Sequence, residues 1–286
     1  MPFPPAFITH LQDHTRAPIR KVTRIHGGHI NRTYRLTTPG GPFLIKVNSA
    51  VHFPDMFAME AKGLRLLADS HTVSTPSVLA QGNWEDLTYL LMEWIEPGEE
   101  TPAIYELLGR GLAALHRHSA LRFGLEWDHR SWMTQSNTFH DSWPDFFIQE
   151  RLAPTLSKAL ERGNLTAEDR HNFEKLYPRI RQLFPEEPPA LLHGDLWKGN
   201  CIFAADGHPY LIDPNVYYGH REMDIAMTYL LGGFDPVFYH AYNEQFPLEK
   251  DWQQRIDLCN LYPLLILTVF GPDYRDRLRR ALKKYI

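Results

Sequence analysis

The 286-residue chain contains two cysteines, no apolar run of membrane-spanning length and no excess of positive charge. Cys201 and Cys259 alone make neither a disulfide framework nor a zinc site, and two reduced thiols of a cytoplasmic enzyme are expected. The longest apolar stretch, 261–270, is interrupted by Pro263 and is about half as long as a bilayer span requires. The N-terminal Met1-Pro2-Phe3-Pro4-Pro5 lacks the basic and apolar regions of a secretion signal. Thirty Lys and Arg stand against 34 Asp and Glu, a net charge of −4 with histidine neutral. That balance speaks against a general affinity for nucleic acid or anionic membrane, because both require a basic face. Internal repeats and low-complexity linkers are missing too, so the expectation is a soluble protein with no nucleic-acid or membrane partner.

The composition that remains is globular: 43% apolar and 22% charged residues, enough for one large domain or two ordinary ones. The local patterns change near residue 95. Before it, 32–37 and 43–47 read as strands joined by the turn Pro39-Gly40-Gly41-Pro42, and 88–94 reads as another strand. Between them Phe57, Ala61, Leu64 and Leu67 recur at helical spacing. Pro97-Gly98 then breaks the chain. Beyond it Ile104, Leu107, Leu108, Leu112 and Leu115 mark a helix, 143–160 a helical stretch with a kink or break at Pro154, and 166–183 a helix capped by Thr166. Short β runs at 190–192 and 210–212 interrupt the helical pattern, and Asp235-Pro236 caps a later helix. The expected architecture is α+β: an N-terminal lobe, 1–95, with a small antiparallel sheet and one helix, and a larger, mainly helical lobe, 96–286. A cleft between two such lobes is a common ligand site.

The strongest chemical signal is His193-Gly194-Asp195-Leu196-Trp197-Lys198-Gly199-Asn200, followed by Asp213-Pro214 after a β run. Gly-Asp and Gly-Asn are ordinary turn dipeptides, but the full string between two β runs makes turns alone a poor explanation. Phosphoryl transfer needs these parts: a carboxylate to take or orient a hydroxyl proton, and an Asn and an Asp to hold Mg²⁺ at the nucleotide phosphates. Asp195 fits the base, and Asn200 and Asp213 fit the metal ligands. Upstream, Gly27-Gly28, followed by Asn31, forms a turn whose N–H groups can cover phosphates. Lys46 in a strand and Glu60 on the following helix would ordinarily be solvated surface. In this order along the chain they suit a phosphate-binding lysine and its ion-pair partner. The hinge, 92–95, offers backbone groups to adenine at Glu93 and Trp94.

At these residues the chain resembles the fructosamine kinases, or ketosamine-3-kinases, a branch of the protein-kinase-like fold near the aminoglycoside and choline phosphotransferases. The resemblance is carried by 192–200, by Asp213-Pro214 and by 216–227 with its Tyr217-Tyr218-Gly219, Arg221-Glu222 and Asp224. It extends through Gly232-Gly233-Phe234, Tyr242-Asn243 and Phe246-Pro247-Leu248. Upstream it includes 43–48, Glu60-Ala61, Phe123-Gly124-Leu125, Gln135, Asn137 and Trp143, so it covers nearly the whole chain. It implies ATP- and Mg²⁺-dependent phosphorylation of the 3-hydroxyl of a ketosamine, carried on a small amine or a protein lysine, by a cytoplasmic enzyme expected to be a monomer. The phosphate labilises the adduct and frees the amine, a deglycation repair.

The resemblance places Trp197 beside the base, where it would stack on the sugar; a core tryptophan is the equal alternative. Arg221, Glu222 and Asp224 are expected to be a buried ion-pair network bracing the catalytic loop rather than substrate contacts. Four departures from the family pattern bear on function, one of them Arg130-Ser131-Trp132-Met133-Thr134 in place of a more glycine-containing stretch before Gln135. His29 stands in the Gly-rich turn where some members carry a redox-active cysteine, so that switch is expected to be absent. Asn215 replaces the usual alanine and puts a polar group beside the metal site. Pro263 to Thr268 replaces a segment that often carries Asn and His. Two other readings remain open: a kinase of the same fold for an aminoglycoside, choline or a sugar, and a pseudokinase that binds nucleotide without turnover.

Overall fold

The computed structural model describes residues 2–26, 31–130 and 133–286, and the chain divides into two compact units. The first comprises 1–100, 129–134 and 202–214, and the second 101–128, 135–201 and 215–286.

The first unit is built on a five-stranded antiparallel sheet of order β1-β2-β3-β5-β4. The chain enters through helix α1, Pro5–Thr15, followed by β1, Lys21–Ile25, β2, Arg32–Thr38, and β3, Gly41–Ser49. Helix α2, Met56–Asp69, precedes β4, Val78–Trp84, and β5, Leu87–Glu93. Alternate side chains of a strand face opposite sides, and each face of this sheet has its own core. Tyr34, Leu36, Ile45, Val47, Tyr89 and Leu91 pack with Phe7 and Leu11 of α1. Leu44, Leu90 and Met92 pack with Phe57, Ala61 and Leu64 of α2. Two helices therefore serve this sheet where the helical spacing alone revealed one. Helix α1 escapes detection because only Phe7, Ile8 and Leu11 of its eleven residues form an apolar face.

After β5 the backbone runs on to Gly98, which donates to Phe203 O at 2.7 Å, while Ala205 N donates to Glu96 O at 2.8 Å. A Cβ at Gly98 would lie 2.7 Å from the Ala205 Cα, so only glycine permits this approach. The contact ties 96–98 to the hairpin of β9, Cys201–Phe203, and β10, Pro209–Leu211, and so draws 202–214 into the first unit.

The second unit starts with α3, Pro102–Leu115, whose cap Thr101 accepts from Ile104 N. The short strands β6, His129–Arg130, and β7, Thr134–Gln135, come next along the chain, with 129–134 belonging to the first unit. The expected stretch at 143–160 is three segments: α4, Trp143–Phe146, a π turn at Phe147–Leu152, and α5, Ala153–Glu161. Pro154 has no N–H to give, and the widened turn before it absorbs the lost bond. Thr166 and Asp169 cap α6, Ala167–Leu183, reciprocally as a capping box. Strand β8, Ala190–Leu192, pairs with β11, Tyr217–Gly219. The remaining helices are α7, Glu222–Leu230, α8, Pro236–Gln245, α9, Ile256–Cys259, α10, Leu261–Phe270, and α11, Arg275–Lys283. Among the described residues no helix is long and apolar enough to cross a membrane. Cys201 and Cys259 are buried, unbridged thiols, and burial raises the pKa of both.

Helices α3 and α8 meet at Gly109, where a Cβ would stand 2.3 Å from the Phe238 carbonyl oxygen. Gly109→Ala forces the two backbones apart and is expected to cost about 1–3 kcal/mol, the range for overpacking a close contact. Urea unfolding of the variant against wild type measures it, and an unchanged midpoint contradicts the assigned contact.

Candidate active site

The loop between β8 and β9 carries 193–200, and its start is fixed by one buried carboxylate. Asp224, at the first turn of α7, accepts from the backbone N–H of His193 at 2.7 Å and of Gly194 at 2.9 Å. His116 faces the same carboxylate with Nε2 at 3.2 Å, and its Nδ1 lies 2.8 Å from the Tyr242 hydroxyl. Gly194 has φ 81°, and a Cβ there would come within 1.9 Å of Asn215 O, so the position requires glycine twice over. Asn215 N donates to His193 O at 2.8 Å and completes the brace.

The loop then presents Asp195. Asn200 Nδ2 donates to both the Asp195 carboxylate and its carbonyl oxygen, each at 2.8 Å. Burial pushes the Asp195 pKa up to about 6; the Asn200 hydrogen bond opposes the rise and the charge of Asp224 adds to it. With its Nδ2 committed, Asn200 keeps its Oδ1 as the atom for a ligand. Trp197 is half-buried, with its ring laid on Gly199: a Cβ at 199 would be 2.2 Å from the ring. It is not a core tryptophan.

The first unit assembles a second constellation. Lys46 is buried on β3 and donates to Glu60 of α2 at 2.7 Å; it also contacts Asp213. Asp213 has φ 54°, an uncommon conformation for a residue with a Cβ, and its side chain is 43% exposed. One cation is thus shared by two carboxylates, of which Asp213 faces outward. Asn31 accepts from Asn48 Nδ2 at 2.8 Å. Glu93 accepts from Ser77 N at 3.1 Å, and Trp94 Nε1 donates to Glu96 at 2.8 Å. Gly27, Gly28 and His29 lie outside the described residues.

The charges after β11 are buried and paired, as their pattern led us to expect. Arg221 forks onto Glu187 at 2.6 and 2.7 Å and donates to the carbonyls of Phe246 and Pro247. Glu222 receives Arg255 at 2.6 and 2.7 Å. The structure also brings forward residues that no motif marked. Arg151 is fully buried, its guanidinium 4.5 and 4.3 Å from the rings of Phe146 and Tyr217. It donates to Ser136 O and Asn137 Oδ1 and holds the segment in which Gln135 accepts from Asn215 Nδ2 at 2.6 Å. Tyr262 has a buried hydroxyl without a hydrogen-bond partner. Burial pushes its pKa up to about 12, with the nearby charge of Asp195 contributing. An arginine in a helical stretch reads as solvent-facing, which is why Arg151 gave no signal. An open depression of about 480 Å³, lined by His71, Ser74, Ser77, Glu93 and Tyr210 among others, touches these groups only at Glu93.

The family model for fructosamine kinase matches residues 5–286. A probable ketoamine kinase from Enterococcus faecium is 38% identical over 269 residues, covering 93% of this chain and 95% of its own. Another, from Synechocystis, is 36% identical, covering 93% of this chain and 90% of its own. The crystal structure of a candidate fructosamine-3-kinase from Thermobifida fusca superposes with a TM-score of 0.87 at 34% identity, over 97% of each chain. An aminoglycoside phosphotransferase, at a TM-score of 0.65 and 15% identity, shares the kinase-like fold.

Asp224→Ala would leave two backbone N–H groups and His116 without their acceptor. Loss of about 3 kcal/mol or more is expected, since each unsatisfied buried donor costs roughly 1–3 kcal/mol. Chemical denaturation tests it; a loss below about 1 kcal/mol would remove Asp224 from its bracing role.

Proposed function

The chain belongs to the fructosamine kinase family, a family of phosphotransferases, and on that premise we propose that it transfers the γ-phosphoryl group of ATP to the 3-hydroxyl of a ketosamine. The observation that carries the reading is the Asp195 carboxylate, half-buried, hydrogen-bonded by Asn200 and rooted in a loop that Asp224 braces. The sugar hydroxyl oxygen attacks the γ-phosphorus, its proton passes to Asp195, and the bond from phosphorus to the bridging oxygen breaks to release ADP. Lys46, held by Glu60, is the proposed partner of the nucleotide phosphates.

The amide oxygen of Asn200 and the outward carboxylate of Asp213 are hard oxygen donors of the kind Mg²⁺ prefers, and they are the residues that would hold it. Mg²⁺, when bound, supplies charge neutralisation at the phosphates. Trp197, two residues past the base, offers a flat apolar face to the sugar, and Gly199 leaves room for its ring. The amine of the acceptor is a small molecule or a protein lysine, and its release after phosphorylation is the proposed deglycation step. Two unbridged thiols suit the reducing cytoplasm as the place of action.

An ATP-consumption assay with fructosyl- and ribulosyl-lysine tests the reading. Asp195→Asn is expected to lower kcat by roughly 10²–10⁴-fold with the ATP KM nearly unchanged. Activity retained within a few-fold would remove Asp195 as the base. In the wild type, protonation disables a base, so kcat/KM is expected to fall as pH drops through about 6. A profile flat down to pH 5 would contradict the assignment.

Trp197→Ala is expected to lower kcat/KM for the ketosamine by about 1–3 kcal/mol, the size of a lost large apolar contact, with little change in the ATP KM. Paired titrations of ATP and ketosamine decide it: a rise confined to the ATP KM would place Trp197 on the nucleotide side.

A further inference from the structure

One cation near the proposed nucleotide phosphate site has no role in the reaction as described. Arg35 on β2 stands opposite Leu44 on β3, which stands opposite Met92 on β5. In the next row Thr33, Lys46 and Leu90 are aligned in the same way. Directly opposite residues of antiparallel strands share a face, and residues two apart along a strand share it too. Arg35 and Lys46 therefore project from one face of the sheet, in rows about 7 Å apart at the usual rise per residue. Tyr34 and Leu36, on either side of Arg35, face the α1 core instead.

From that row the Arg35 side chain reaches to the chain after β5. Its guanidinium carbon lies 4.9 Å from the Trp94 ring centroid, and Nη2 lies 3.7 Å from the Glu96 carboxylate, which also accepts from Trp94 Nε1. The grip is loose. Glu96 is beyond hydrogen-bond reach at that distance, and the Arg35 Nε is buried without a hydrogen-bond partner. A planar cation is thus held at the hinge, one row away from Lys46 in the hinge direction, with N–H groups to spare.

We propose that Arg35 is a specificity-determining residue for the nucleotide: its guanidinium lies flat on the base, held at the hinge by Trp94 and Glu96. The inference rests on the reading that Lys46 holds the phosphates. If Lys46 marks the phosphate end, the row toward the hinge marks the base end. Arginine suits this position because its delocalised plane stacks on aromatic faces, whereas a lysine ammonium offers only a point charge. A contact of this kind is worth roughly 3- to 30-fold in affinity.

The test is titration calorimetry of the full chain with ADP, and separately with inorganic tripolyphosphate, in the presence of magnesium chloride. The variants are Arg35→Ala, Arg35→Lys and Lys46→Ala. Both Arg35 variants are expected to weaken ADP by about 3- to 30-fold and to leave tripolyphosphate within twofold, because only ADP carries a base. Lys46→Ala is expected to weaken both ligands. Wild-type ADP affinity in Arg35→Lys would show that charge suffices and overturn the stacking role, as would an equal loss of tripolyphosphate. If Lys46→Ala weakens both ligands while the Arg35 variants bind ADP as wild type does, this inference falls and the phosphate assignment stands. If Lys46→Ala changes neither ligand, the phosphate assignment falls and takes this inference with it.

Discussion

The second unit depends on a buried carboxylate that spends its charge on backbone. Asp224 accepts the N–H groups of two successive residues, His193 and Gly194, at the point where β8 ends and the loop begins. A buried carboxylate is costly unless its lone pairs are filled, and here the loop fills them. The same bonds set the direction in which the chain leaves the strand. Gly194 follows with a positive φ against the Asn215 carbonyl, and Asp195 is then delivered to Asn200. The negative charge of Asp224 also helps to raise the Asp195 pKa, after burial itself. The brace that positions the proposed base therefore also shapes its acidity.

In the first unit the corresponding constraint is Lys46. A nearly buried ammonium on a strand otherwise facing two apolar cores is tolerated because Glu60 and Asp213 share it. Asp213 belongs to this unit because the β9–β10 hairpin is tied to 96–98 through Gly98. A glycine distant from the charges thus supports their meeting, through a backbone approach that any side chain would block.

Much of this was legible in the sequence where a physical period or spacing was strong. β2, β3 and β5 follow from short β-type runs bounded by turns, α2 from Phe57, Ala61, Leu64 and Leu67, and the α6 cap from Thr166 and Asp169. By contrast β1 is short, and both β1 and β4 are half polar, as Lys21-Val22-Thr23-Arg24 and Gln81-Gly82-Asn83 show, and carry little signal of their own. In the site, Asp195 and Asn200 stand out because four residues separate a carboxylate from an amide inside one loop, and the structure joins them by a hydrogen bond. Gln135 and Arg151 do not stand out as partners of this region. Their contacts, Asn215 and the rings of Phe146 and Tyr217, come together only through the packing of the second unit. Sequence spacing cannot express a contact between residues 80 positions apart.

The central claim is that the acceptor is a ketosamine and the reacting group its 3-hydroxyl. Phosphorus NMR of the product formed from fructosyl-lysine, ATP and magnesium tests it most directly. The account predicts a phosphomonoester resonance coupled to the proton on carbon 3 of the sugar, formed by the wild type and formed at least about 100-fold more slowly by Asp195→Asn. A phosphate on another hydroxyl, or no product from fructosyl- or ribulosyl-lysine, would contradict it.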